Sequence, residues 1–170
     1  LKLDQSFTPF CMLMDHEGML WVGTEAQGVM VIDPENKKIV KNFRESDGLL
    51  ANLINLLNID ENNNIYIGTN KGLNIYNSKE KKIYTYTKKN GFVGIETKLN
   101  STFTDNNGRL WFGTISGVTR FDPRMMRKPN EEPLTHIISL KVNLKDQLMS
   151  EGLKLKYNQN DIIFEYISIC

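Results

Sequence analysis

Three short segments repeat one pattern: Leu20-Trp21-Val22-Gly23-Thr24, Ile65-Tyr66-Ile67-Gly68-Thr69 and Leu110-Trp111-Phe112-Gly113-Thr114. Their glycines fall at 23, 68 and 113, a constant step of 45 residues. A fixed period of that length marks a repeat architecture, in which each copy is one unit stacked on its neighbours. Each copy opens with an aspartate eight residues before that glycine (Asp15, Asp60, Asp105), and a second glycine follows it (Gly28, Gly72, Gly117).

The residues around each aspartate spell a tight turn. Asp15-His16-Glu17-Gly18, Asp60-Glu61-Asn62-Asn63 and Asp105-Asn106-Asn107-Gly108 place Gly18, Asn63 and Gly108 at one position, and these residues tolerate a positive φ. The leading carboxylate can accept backbone N–H groups two or three residues on, closing an Asx turn. A calcium loop is the competing reading of alternating Asp and Asn. The glycine and glutamate positions of an EF-hand are missing, so the turn is read as structural and no metal is expected.

Between these turns run short apolar strands, with no helical period. Leu53 to Ile59, Val29 to Ile32 and Leu73 to Tyr76, and Ile39 to Phe43 and Ile83 to Thr87 supply the first, third and fourth strands of a four-stranded antiparallel unit. Such a unit repeating every 45 residues or so matches a β-propeller blade. Gly23, Gly68 and Gly113 sit inside strands, which points to a bulge or to close approach of another backbone. Trp21, Tyr66 and Trp111 invite a ligand-stacking role, but an aromatic required in every copy reads as core between units. Thr24, Thr69 and Thr114 fit strand ends.

With 21 basic and 20 acidic residues the chain has a formal charge of +1 and no strongly basic segment, so no nucleic-acid partner is expected. No apolar run approaches the roughly 18 residues that span a bilayer, and Leu1-Lys2-Leu3-Asp4 lacks a signal-peptide layout. There is no initiator methionine, and the sequence stops within the apolar stretch Ile167-Ser168-Ile169-Cys170, so it reads as an excerpt of a longer polypeptide. Cys11 lies among apolar residues and reads as a buried thiol; no metal-type spacing joins it to Cys170.

The pattern changes after Phe121-Asp122-Pro123. Pro123, Pro129 and Pro133 bracket a charged stretch that reads as an extended linker, in which Arg124, Arg127 and Lys128 are a weak candidate for an anion site. Alternation then resumes at Ile138, Leu140 and Val142, at Leu153, Leu155 and Tyr157, and at Ile162, Phe164 and Tyr166, with residues 157–161 as a turn. The expected architecture is all-β. A partial β-propeller of three four-stranded blades or parts of blades (about 5–45, 50–88 and 96–122, within 1–122) leads through a linker (123–133) to the first strands of an immunoglobulin-like sandwich (134–170).

The run from Asp105 to Pro123 resembles the two-component regulator propeller repeat, and Leu153 to Tyr166 resembles the opening of the Y-Y-Y domain that follows such propellers. The middle copy departs, with Asn63 for Gly, Tyr66 for Trp and Asn77-Ser78 for Asp-Pro, each swap keeping the local chemistry. The resemblance implies the soluble, extracytoplasmic (periplasmic or cell-surface) part of an inner-membrane sensor, often a hybrid histidine kinase. In well-known gut bacterial members the ligands are oligosaccharides. It further implies a homodimeric parent. Three blades are too few for a closed ring, so completion by further blades of the parent chain or by edge pairing with another chain is expected. Ligand contacts do not transfer, so the binding residues stay unknown, and no cofactor is implied. Two alternatives stand beside this reading. One is a propeller enzyme of the streptogramin lyase type, for which His16, His136, Glu25, Glu96 and Asp47 form no convincing catalytic set. The other is an interaction scaffold.

Overall fold

The computed structural model describes residues 7–88, 92, 94–125, 134–148 and 152–169. The chain divides into two compact units, Leu1–Pro129 and Asn130–Cys170, so the division falls inside the proline-bracketed stretch.

The first unit is three antiparallel sheets, one per repeat. The first sheet runs β1 (Pro9–Met14), β2 (Leu20–Thr24), β3 (Val29–Asp33), β4 (Lys38–Phe43) in that spatial order. The second repeats it with β5 (Ile54–Ile59), β6 (Ile65–Thr69), β7 (Gly72–Asn77) and β8 (Lys82–Tyr86). The third has β9 (Thr97–Thr104), β10 (Leu110–Thr114) and β11 (Gly117–Phe121), with no fourth strand among the described residues. Consecutive strands pair because only tight turns separate them.

Each sheet is apolar on both faces and stacks on the next. Cys11, Trp21, Val29, Val31 and Phe43 of the first sheet meet Ile54, Leu57, Ile65 and Ile67 of the second in one buried cluster. Tyr66, Leu73, Ile75, Tyr84 and Tyr86 of the second meet Leu110 and Phe112 of the third in another. Leu56 at 0 % exposure and Leu57 at 6 % show one strand serving both clusters with alternate side chains.

The strand glycines answer to packing. Opposite or beside each lies a register shift, at Pro9/Cys11, Ile54/Leu56 and Phe112/Thr114. What crowds them is side chain rather than the backbone expected: a Cβ on Gly23 would lie 2.5 Å from Cys11 Sγ and 2.6 Å from Ile54, and one on Gly68 2.6 Å from Leu56.

The Asp-Pro exit also proves to be a turn. Asp33 Oδ1 accepts the N–H groups of Glu35 and Asn36 (both 3.0 Å), leading into β4. In the third copy Asp122 Oδ1 accepts the Arg124 N–H at 3.1 Å, and Pro123–Met125 is a 3-10 turn. Pro123 therefore begins the turn that elsewhere feeds a fourth strand, not an extended segment. Arg127, Lys128, Pro129 and Pro133 lie outside the described residues.

Among the described residues the second unit is one sheet, ordered β13 (Lys145–Gln147), β12 (Leu134–Val142), β14 (Ile162–Ile169). Two sequence expectations change here. β13 was not foreseen: it forms through a two-residue turn, Asn143 and Leu144 at φ 48° and 64°, the left-handed pair of a type I′ hairpin without its usual glycine. Leu153 and Leu155 keep the expected alternation and are half-buried, but Tyr157 is 97 % exposed in a turn, and the segment joins no ladder among the described residues. Asn143 pins that region instead, donating its side-chain amide to Asn158 O at 3.0 Å and its backbone N–H to Asp161 O at 2.7 Å. A second sheet, and with it a sandwich, is not seen among the described residues.

Candidate functional site

The repeated aspartate is a latch. Asp15 Oδ1 accepts the backbone N–H groups of Glu17 and Met19, each at 2.9 Å, while Oδ2 accepts the Trp21 indole N–H at 2.7 Å. Asp60 treats Asn62 and Asn64 likewise at 2.9 Å, and its Oδ2 accepts the Tyr66 hydroxyl at 3.0 Å. Asp105 accepts Asn107 at 2.9 Å, Arg109 at 3.0 Å and the Trp111 indole at 3.0 Å. The turn half of this arrangement is the Asx turn read from sequence; the bond to the aromatic six residues on is not. One signal was available: the aromatic is Trp, Tyr and Trp, never Phe, and only the first two types carry a donor.

The latch leaves its mark on acidity. The Trp111 indole donor holds the Asp105 carboxyl below the usual aspartate range. Burial, and then the Asp60 carboxylate, push the Tyr66 hydroxyl well above the usual tyrosine value. These carboxylate oxygens face N–H and O–H donors, the wrong surroundings for a cation. No group of three or more His, Cys, Asp or Glu converges among the described residues.

Each latched ring points toward the following sheet. Trp21 stacks on Phe43 at 5.7 Å and meets Tyr76 of the second sheet at 5.2 Å. Tyr66 meets Phe112 and Phe121 of the third at 6.2 and 5.6 Å. Trp111 follows the same geometry with no described sheet beyond it. Its face is shared by Phe103, 63 % exposed, and Val118, 72 % exposed, although their counterparts Leu13 and Val29 pack into the first seam.

The second glycines lie where the third strand starts. A Cβ on Gly28 would sit 2.0 Å from Phe43 O of β4 and one on Gly72 2.7 Å from Tyr86 O of β8, whereas Gly117 has nothing within 4 Å. The threonines close the same turns, Thr24, Thr69 and Thr114 donating Oγ1–H to the carbonyls of Gly28, Gly72 and Gly117 at 2.8, 2.9 and 3.0 Å.

The seams enclose space at their turn end. Between the first and second sheets is a cavity of about 300 Å³ lined by residues that include Trp21, Lys41, Phe43, Tyr76 and Lys81. A smaller one of about 150 Å³, lined by residues including Asp60, Thr104 and Arg124, lies between the second and third. Asn63, at a φ of 63°, holds the first pair of turns together by accepting the His16 N–H at 3.0 Å.

The remaining candidates do not converge. Arg124 is spent on Asp122 through Nε at 2.8 Å and Nη2 at 2.7 Å, and this partner brings Asp122 down to about 2. Glu96 pairs with Lys98 at 3.1 Å, and Asp47 Oδ2 accepts the Arg44 N–H at 2.9 Å. His16 and Glu25 are exposed turn residues, and the His136 side chain and Cys170 lie outside the described residues. Cys11 is buried, its thiol pushed up to about 12 by desolvation.

A family model for the two component regulator propeller matches residues 2–26, which span β1, its aspartate turn and β2. The first repeat is thus similar to the two-component regulator propeller repeat. The other two copies carry its landmarks at the same spacing. A histidine kinase of Formosa agariphila is 28 % identical over 141 residues, covering 83 % of this chain and 10 % of that protein. The extracellular domain of a hybrid two component system from B. thetaiotaomicron superposes with a TM-score of 0.56 at 22 % identity, over 98 % of this chain and 30 % of that one. An inactive variant of virginiamycin B lyase from Staphylococcus aureus gives 0.51 at 16 % identity, over 78 % of this chain and 46 % of the lyase. These structural likenesses establish the propeller-type fold; the chain spans a tenth to under half the length of these three proteins.

Proposed function

We propose that the chain is a non-catalytic part of the ligand-sensing, extracytoplasmic region of a membrane-bound hybrid two-component sensor histidine kinase. The observation that carries this reading is the order of parts: propeller repeats in strict register, the first matching the regulator propeller model, followed by a separate strand unit. The likeness to a histidine kinase over most of the chain supports it.

In this reading a small molecule or oligosaccharide binds one arrangement of the sensor region better than another. The difference in affinity shifts the population of signalling homodimers, with the strand unit as relay toward the membrane. The Trp111 face takes a further blade. The test is ligand-dependent phosphotransfer by the parent protein with and without residues 1–122. Loss of ligand dependence with basal phosphotransfer intact is expected; an unchanged response would overturn the proposal.

A further inference from the structure

The cavity between the first and second sheets has an aromatic floor and, at its rim, cations without a carboxylate partner among the described residues. Trp21, Phe43 and Tyr76 pack with centroids 5.2 to 5.7 Å apart, and the Asp15 latch fixes the Trp21 ring. Lys41 Nζ lies 4.4 Å over the Phe43 ring. Among the described residues neither Lys41 nor Lys81 has a carboxylate partner, and the Glu17 carboxylate, which also lines the cavity, has no cation. The Tyr76 hydroxyl, with no hydrogen bond of its own among these residues, feels burial and then the Glu17 and Asp15 charges, which raise its pKa and keep it a donor.

The second seam shows that this is not a general property of the fold. Its cavity is about half as large, at about 150 Å³ against about 300 Å³, and its cation Arg124 is already held by Asp122.

We propose that the first seam is a binding site for a hydroxylated six-membered ring bearing a carboxylate, a sugar acid. The ring's apolar face lies toward the aromatic floor, the carboxylate meets the Lys41 and Lys81 ammonium groups, and ring hydroxyls pair with the Glu17 carboxylate and the Tyr76 hydroxyl. About 300 Å³ is the lower end of the range for ligand pockets and suits one such ring. The site gives the proposed sensor a ligand class and rests on that reading for its purpose. Binding is measured on the chain by itself, so a failure here leaves the phosphotransfer test of the sensor standing.

The experiment is an NMR titration of the 15N-labelled chain with sodium glucuronate, following the two indole N–H signals. Saturable movement of Trp21 but not Trp111 is expected, with glucose, cyclohexanecarboxylate and acetate each at least tenfold weaker. The double variant Lys41→Ala/Lys81→Ala, altered only at exposed side chains, should lose at least tenfold in affinity, and Tyr76→Phe should lose severalfold. No saturation with glucuronate, equal binding by the double variant, or glucose, cyclohexanecarboxylate or acetate binding as tightly as glucuronate would each overturn the proposal.

Discussion

Tyr66 is wholly buried, yet its hydroxyl reaches a carboxylate. Its ring fills the second seam and its oxygen closes the hairpin. Tyr66→Phe keeps the first role and removes the second, so thermal or urea unfolding should show a loss of about 1.5–3 kcal/mol, the range for a hydrogen bond to a charged group. Tyr66→Ala should cost about 3–5 kcal/mol through the cavity it leaves. Equal costs for the two would mean that the latch, not the ring, dominates. Asp105 reports the same bond through pH. Its folded pKa lies below the unfolded value of about 3.9, so its stabilisation is complete above that pH and is lost as pH falls through the folded value. Trp111→Phe should move the Asp105 carboxyl midpoint up toward the ordinary value, read from its carboxyl 13C shift. Cys11 runs the other way: its raised folded pKa of about 12 gives a contribution intact below pH ~9 and lost above it. At neutral pH a thiol alkylating reagent should label Cys11 only on unfolding; rapid labelling of the native chain would refute its burial.

At the scale of the element, each blade is a set of turns holding four short strands in order. The second glycines offer a matched comparison, because Gly28 and Gly117 both have positive φ, at 76° and 119°, but only Gly28 faces a fourth strand. Gly28→Ala and Gly117→Ala both incur backbone strain, and Gly117, farther from the left-handed region, incurs the more of it. Gly28→Ala should be worse by about 1–3 kcal/mol in equilibrium denaturation, because its Cβ would strike Phe43 O. Equal costs would show that strand four is not tightly held. The same turns explain what was legible. Asx turns are local, so Asp15, Asp60 and Asp105 announced the hairpins in sequence. The β12–β13 hairpin turns at Asn143-Leu144, where a leucine in the left-handed region gives no sequence signal. Residues 153–157 carried strand alternation but no partner, since alternation specifies faces and not neighbours.

The whole molecule is a stack whose interfaces repeat, and the third sheet presents half of one. Val118→Ala, at an exposed site, should change stability by about 0.5 kcal/mol or less, while Val29→Ala at the buried counterpart should cost about 2 kcal/mol. In a longer chain carrying the next blade, Val118→Ala should rise to the cost of Val29→Ala. If it stays neutral there, the Trp111 face is not a blade interface.

From the sequence alone come the period, the turn residues, the all-β class and the boundaries of most blade strands, because these rest on φ preferences and contacts a few residues apart. The tertiary structure alone decides which way each aromatic points, why a side chain excludes a Cβ at Gly23 and Gly68, and which charged groups are left free around the first seam. Those properties arise where sheets 45 residues apart in sequence meet, and no pattern within one repeat carries them.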